Sequence, residues 1–216
     1  MNNKTEHGEY KYHHQTSDHT ESYLWTPVLA ILKSQGVNVR ILDLGCGNGA
    51  FARKLCELGH DVVGIDPSES GIEMANSVSS PVLFETGSAY ENLRDRYGEF
   101  DCVVSLEVVE HLYPPKEFAK NIFDVLKPGG IAVVSTPYHG YFKNLVLAVT
   151  GKLDSHFTAL WDHGHIKFWS VKTLSELFKS HGLDVNGFRF AGRIPIMAKS
   201  MVAIVSKPKS ESTNDS

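Results

Sequence analysis

Cysteine is scarce. Cys46, Cys56 and Cys102 are the whole complement of 216 residues. Their spacing builds neither a disulfide framework nor a zinc-binding pattern, so a reduced compartment is expected. No apolar run is long enough to span a bilayer and no secretory leader is visible, which sets a cytoplasmic expectation. A basic excess is missing too: 21 Lys and Arg face 25 Asp and Glu, a formal charge of −4. That excludes the electrostatic footprint of a tight, nonspecific nucleic-acid binder and makes nucleic acid an unexpected partner. Internal repeats are absent as well.

What is present is 42% hydrophobic, enough for one domain with a sizeable core. Residues 1–20, with His7, His13, His14 and His19, are polar, as are 206–216; both are expected to be flexible tails around a domain at 21–205. Within that domain, residues 39–43 make an apolar β-type run that ends in Asp43. Gly45, Gly47 and Gly49 then alternate through a turn into the helical pattern of 50–58. Glycines there allow a sharp turn and close approach of a ligand. Gly45-x-Gly47-x-x-Ala50 also fits the dinucleotide fingerprint, so the glycines alone do not choose the ligand. Asp43 does bear on the choice: a carboxylate there repels a pyrophosphate and suits an ammonium group. S-adenosylmethionine carries an ammonium, a sulfonium and an adenosine, and no phosphate. A second strand, 61–65, ends in Asp66 about twenty residues after the loop, where an acid can hold ribose hydroxyls.

Strands are expected at 39–43, 61–65, 82–85, 100–105 and 130–135, with helices at 49–58, 68–77 and 115–126 between them. This alternation implies a parallel α/β sheet with its ligands at the carboxyl ends of the strands. A helix at 21–35 precedes it, with Tyr23 and His19 as candidates for covering the cofactor. A helix at 171–181 and apolar runs at 183–190 and 197–205 follow, suggesting an antiparallel pair that completes the sheet. Residues 138–170 break the rhythm as an acceptor-side insert. Its run 141–149 is apolar enough for a short helix, which either packs on the domain or makes peripheral membrane contact.

The glycine loop, Asp66, Phe100-Asp101-Cys102-Val103-Val104-Ser105 and Leu126-Lys127-Pro128-Gly129-Gly130 occur in the order found in class I S-adenosylmethionine-dependent methyltransferases, which the chain resembles over roughly 38–205. The resemblance implies a Rossmann-like, doubly wound, mostly parallel seven-stranded sheet with a C-terminal antiparallel strand. It also implies S-adenosylmethionine as cofactor, with Asp43, Gly45, Gly47, Gly49, Asp66, Ser88 and Ser105 on its side of the sheet. Many members carry an acid after the third strand for the adenine; here the turn is Thr86-Gly87-Ser88, and Ser88 stands in that place.

After the fourth strand comes Glu107-Val108-Val109-Glu110-His111. In a helical turn Glu107, Glu110 and His111 project to one side, a donor set suited to Mg²⁺ or Mn²⁺. The plainer reading is acids favoured at a helix N-terminus with a rim histidine. A second histidine group, His139, His156, His163 and His165, lies in the insert. The pattern resembles ubiquinone-pathway O-methyltransferases and small-RNA 2′-O-methyltransferases, in which a Glu-x-x-Glu-His motif and a later His bind a divalent metal. Carried over, that implies Glu107, Glu110, His111 and His165 as metal ligands, with Glu107, His111 and His165 catalytic. Rim histidines hydrogen-bonded to Asp162 are the alternative.

Other acceptors are set aside. The Asn/Asp-Pro-Pro-aromatic turn in which amino-methylating DNA or RNA enzymes resemble one another is absent after the fourth strand, and Thr136-Pro137-Tyr138 imitates it only after the fifth. No cysteine stands after a strand where carbon-5 methylation of cytosine needs its thiolate nucleophile. The expectation is methyl transfer to a hydroxyl of a small aromatic or polyprenyl-linked acceptor, ahead of an RNA 2′-hydroxyl and of a non-catalytic S-adenosylmethionine-binding protein.

Overall fold

The computed structural model describes residues 21–157, 159–160 and 164–209. The expected tail at 1–20, His19 included, and Asp162 and His163 lie outside the described residues. A π-type turn at Glu21–Trp25 leads into α1 (Thr26–Lys33), with Pro27 in its first turn, where no backbone donor is needed. Then β1 (Arg40–Leu44), α2 (Ala50–Glu57), β2 (Asp61–Asp66), α3 (Glu69–Ser77) and β3 (Leu83–Thr86) alternate as the apolar pattern predicts. A short α4 (Leu93–Tyr97) precedes β4 (Phe100–Leu106). Its first turn is capped by the Asn92 side chain, and its five polar-rich residues carry no readable period. A 3₁₀ turn at Val109–His111, α5 (Pro115–Val125) and β5 (Leu126–Pro137) follow.

The insert holds two helices, α6 (Tyr141–Val149) and α7 (Leu153–Phe157). The chain returns through α8 (Val171–Lys179), whose start carries a capping box between Ser170 and Thr173. The strands β6 (Asp184–Ala191) and β7 (Ser200–Ser206) close the chain.

The seven strands lie in the order β3-β2-β1-β4-β5-β7-β6, and β7 alone runs antiparallel to its neighbours β5 and β6. Pairing continues past β7, because the Lys207 amide donates to Gly130 O at 2.9 Å, two residues into the expected C-terminal tail. Apolar residues line both faces of the sheet. One layer joins Leu42, Phe100, Phe118, Ile122 and Phe178; the other joins Leu24, Val28, Ile41, Leu55 and Val104. A parallel sheet covered on both faces has to read as nearly continuous apolar strands, and β1, β2 and β4 do. The strand order reverses between β1 and β4, so the crevice outside their carboxyl ends is where such a sheet takes a ligand.

Candidate active site

Asp43 and the glycine loop stand at that crevice. Gly45 has φ +88°, and a Cβ there would collide with the Val108 side chain; Gly49, at φ +73°, opens α2, and a Cβ on it would sit 2.5 Å from the Phe84 ring. Side chains are excluded from the turn on two counts, conformation and space. Asp66 holds the loop's shape from the next strand: Oδ2 accepts from Gly47 N at 2.8 Å and Oδ1 from Ser68 N at 2.9 Å. Those two bonds oppose the burial that raises its pKa.

Asp43 is different. It is 2% exposed, and its Oδ2 has no hydrogen-bond partner. Burial, with the Asp66 charge beside it, pushes its carboxyl up to about 7. A buried carboxylate in this condition calls for a cation, and an amino-acid ammonium at the loop meets that requirement while a pyrophosphate does not. S-adenosylmethionine therefore fits the residues present: Asp43 would face its ammonium, Gly45, Gly47 and Gly49 would admit its amino-acid end, and Asp66 would be the acid beside its ribose.

The other two expected cofactor residues are placed less openly. Ser105 is fully buried and its hydroxyl donates to Leu44 O at 2.7 Å, tying β4 to β1. Ser88 shapes the turn after β3, its amide donating to Glu91 Oε1 and its hydroxyl accepting from Tyr90 N.

Past β4 the chain changes direction at Glu107, which has φ +56°, a left-handed conformation costing about 1–2 kcal/mol for a residue with a Cβ. Two bonds from its amide, to Ser135 Oγ at 3.0 Å and Ser135 O at 3.2 Å, hold it there. Its carboxylate accepts from Ser135 Oγ at 2.7 Å and Ser200 Oγ at 3.2 Å, and Tyr23 Oη lies 3.2 Å from the same Ser200 hydroxyl. Burial nevertheless raises the Glu107 carboxyl to about 7, against the two hydroxyls and the Lys143 charge.

The turn then brings Glu110, His111 and His165 together, their ligand atoms all within 4.8 Å of one another. The return segment of the insert is responsible: the amides of Ile166 and Lys167 both donate to Glu110 O, and Trp169 Nε1 donates to Val109 O at 3.3 Å. His165 Nε2 comes to 4.0 Å from Glu110 Oε1. Burial, then the neighbouring His111 and His156, lower the His165 pKa to about 4, so the imidazole in that contact is neutral. Glu110 is 1% exposed with both oxygens unpartnered. Thr136 lies near enough to favour its charge without a well-formed bond, while burial and then Glu107 raise its pKa well above the ordinary value. A divalent ion fits this set, because a buried carboxylate with two bare oxygens beside two imidazoles offers it a ligand group the protein leaves otherwise unsatisfied.

Of the four expected metal residues, the structure groups three. Glu107 points to Ser135 and Ser200, because the 3₁₀ turn starts at Val109 and the left-handed kink at Glu107 takes that residue off the shared face. Ser135 and Ser200 as its partners, Tyr23 behind Ser200, and Lys143 as the neighbouring charge escape sequence reading. The only trace of the serines is small hydroxyls at the ends of two apolar strands.

Sheet order and glycine loop together are those of a class I methyltransferase. A family model described as a methyltransferase domain matches residues 13–186, and the chain belongs to the class I S-adenosylmethionine-dependent methyltransferases. Within them it stands near the ubiquinone biosynthesis O-methyltransferases. The one from a Caulobacter species is 31% identical over 157 residues, 69% of this chain and 61% of that relative, so the chain spans less than two thirds of its length. The one from Cereibacter sphaeroides is 30% identical, covering 82% of this chain and 76% of the relative. Among solved structures, magnesium protoporphyrin IX methyltransferase from Synechocystis superposes with a TM-score of 0.68 at 15% identity, covering 93% of this chain and 90% of the other, which shows the shared fold.

Proposed function

We propose that the protein transfers a methyl group from S-adenosylmethionine to a hydroxyl of a small aromatic or polyprenyl-linked acceptor. The names of its relatives support that acceptor class. The observation carrying the site assignment is the bare, buried Glu110 carboxylate 4.0 Å from His165.

S-adenosylmethionine supplies a methyl on a positively charged sulfur. Asp43 and the glycine loop would hold its amino-acid end at the carboxyl ends of β1 and β2, the same edge of the sheet from which the 3₁₀ turn after β4 starts. The acceptor oxygen has to lie in line with the bond that breaks, and holding it there is worth several kcal/mol of barrier. Glu110, whose pKa burial and Glu107 raise, is in its ionised form a stronger proton acceptor than an ordinary carboxylate and takes the hydroxyl proton, while His165, held low, stays a neutral partner beside it. A divalent ion held by Glu110, His111 and His165 would supply Lewis acidity that lowers the hydroxyl's pKa. Glu107, braced by two serines, stands behind the group as a second buried carboxyl whose charge raises the Glu110 pKa.

No helix among the described residues is long and apolar enough to cross a membrane. Instead α6 presents Tyr141, 91% exposed, and Val149, 79% exposed, beside Ile194 and Ile196. That surface supports peripheral contact with a membrane holding a polyprenyl-linked acceptor.

Turnover against a phenol panel, with Glu110→Gln and His165→Ala and with a chelator, tests the proposal. Each substitution is expected to cost at least about a hundredfold in kcat, in the range of a lost acid–base group. The chelator is expected to cost activity that Mg²⁺ or Mn²⁺ restores. Unchanged rates in both variants would overturn the assignment.

A further inference from the structure

His111 and His165 meet edge to ring with centroids 4.9 Å apart, although they come from distant stretches of the chain. Upstream of His111 the two stretches are sewn together by backbone: Ile166 N and Lys167 N reach Glu110 O at 3.0 and 2.9 Å. Downstream, the chain leaves the 3₁₀ turn extended at Leu112, which packs on the core, and arrives at Tyr113. Tyr113 is 81% exposed, yet it is tethered twice. Its amide donates to Tyr90 Oη at 3.2 Å, and Lys167 Nζ stands over its ring, 5.6 Å from the centroid.

The tethers fall where they bear on the histidines. Tyr113 lies two residues past His111, and Lys167 two residues past His165. The contact of Lys167 with Tyr113 therefore joins the downstream flanks of the two imidazoles, as the Glu110 carbonyl joins their other side. Lys167 has no carboxylate within ion-pair distance among the described residues, so its ammonium is directed by the ring. A cation over an aromatic face is held by the ring quadrupole, weakly at an exposed site. That strength contributes little to the fold and is enough to select one approach of two rings over another.

Tyr90 gives this pair a fixed post. Asn121 of α5, 8% exposed, donates from Nδ2 to Ala89 O and to Glu91 O, both at 2.6 Å, and so grips Tyr90 on both flanks. The Tyr90 amide donates to Ser88 Oγ at 3.2 Å. A phenol held this way has its oxygen placed by the loop after β3, and the Tyr113 backbone is placed by that oxygen.

We infer that Tyr113, Lys167 and Tyr90 are positioning residues for methyl transfer: Lys167 over the Tyr113 ring sets how His111 and His165 meet, and the Tyr90 hydroxyl ties that pair to the loop after β3. This rests on the site proposed above and adds a brace outside its reacting groups. Each of the three acts through the two imidazoles.

Turnover of the full chain on the phenol panel, calorimetric titration with S-adenosylhomocysteine and imidazole NMR spectra test the inference in Tyr113→Leu, Lys167→Met and Tyr90→Phe. Small misplacements of reacting groups are costly, so kcat is expected to fall about threefold to tenfold in each variant. S-adenosylhomocysteine affinity is expected to change less than about twofold and Tm by less than about 2 °C, because none of the three side chains is in the core. Tyr113→Phe and Lys167→Arg keep the ring and the cation and are expected to hold kcat within about twofold of native. Tyr113→Leu and Lys167→Met together should lose no more than the worse of the two, since both cut one contact. The His111 and His165 ring signals, assigned with His111→Gln and His165→Gln, are expected to shift or broaden in Tyr113→Leu. Unchanged kcat in both Tyr113→Leu and Lys167→Met overturns the inference, as do losses that multiply in the double variant or that Tyr113→Phe shares. A native protein that binds S-adenosylhomocysteine but methylates no phenol would strike the proposed acceptor instead. The ring signals then decide: unmoved in Tyr113→Leu they overturn the brace, and displaced they support it.

Discussion

The cofactor half of the sheet and the insert after β5 bury opposite kinds of residue. In β1, α2 and β2 the apolar side chains are inside, and the buried polar atoms are few and have defined work: Asp66 braces the loop and Asp43 is left bare for a ligand. In α6 the order is inverted. Lys143 is the helix's buried residue while Tyr141, Phe142, Leu145 and Val149 face outward. The first arrangement is that of a helix and strands folding around their own core. The second is that of an element whose apolar face is left uncovered among the described residues and whose buried charge anchors it to the strand ends by two carbonyls.

The largest effect is expected from disturbing the cofactor half. Gly45→Ala forces a Cβ into a left-handed position and against Val108, which should cost about 3 kcal/mol of stability and most of the S-adenosylmethionine affinity. Thermal unfolding with and without S-adenosylmethionine checks both; a variant as stable and as tightly bound as the native chain would mean the turn has room to spare. A smaller and differently distributed effect is expected in the insert. Lys143→Met removes a buried charge but strands Tyr138 O and Ala198 O, so global stability should move by no more than about 1 kcal/mol. Amide exchange should speed up over 139–157 alone. Acceleration spread over the whole sheet would show that Lys143 belongs to the common core and would dissolve the contrast.

That contrast also explains what could be read in advance. Asp43, the three glycines and Asp66 fall in order within one β–α–β stretch, and the β-to-helix change of period marks them. The strand alternation gave the parallel core, and β5 extends back to Leu126 because Phe100 pairs with it ahead of a bulge. Helix α4 was missed for lack of any period. Glu110 meets His165 through backbone bonds made across the insert, and Ser135 and Ser200 reach Glu107 from two strands distant in the chain. Such partners are set by tertiary pairing, which local pattern does not encode. A helix with its lysine inside and its phenylalanine outside reads the same as one facing the other way.

The central claim is that Asp43 waits for an ammonium group. Its folded pKa, about 7, lies above the ordinary carboxylate value, so the folded protein binds the extra proton and its apo stability falls as pH rises from about 4 through about 7. A bound cation requires the ionised form. S-adenosylmethionine titrated by calorimetry in buffers of differing ionisation enthalpy should therefore weaken up to about tenfold per pH unit below 7 and release up to one proton there. Above about 8 release should vanish. In Asp43→Asn the proton release should disappear, affinity should drop at least about tenfold, and the unliganded protein should melt higher at pH 8 than the native one. A native protein that binds S-adenosylmethionine with no proton release, and equally well after Asp43→Asn, would contradict the account.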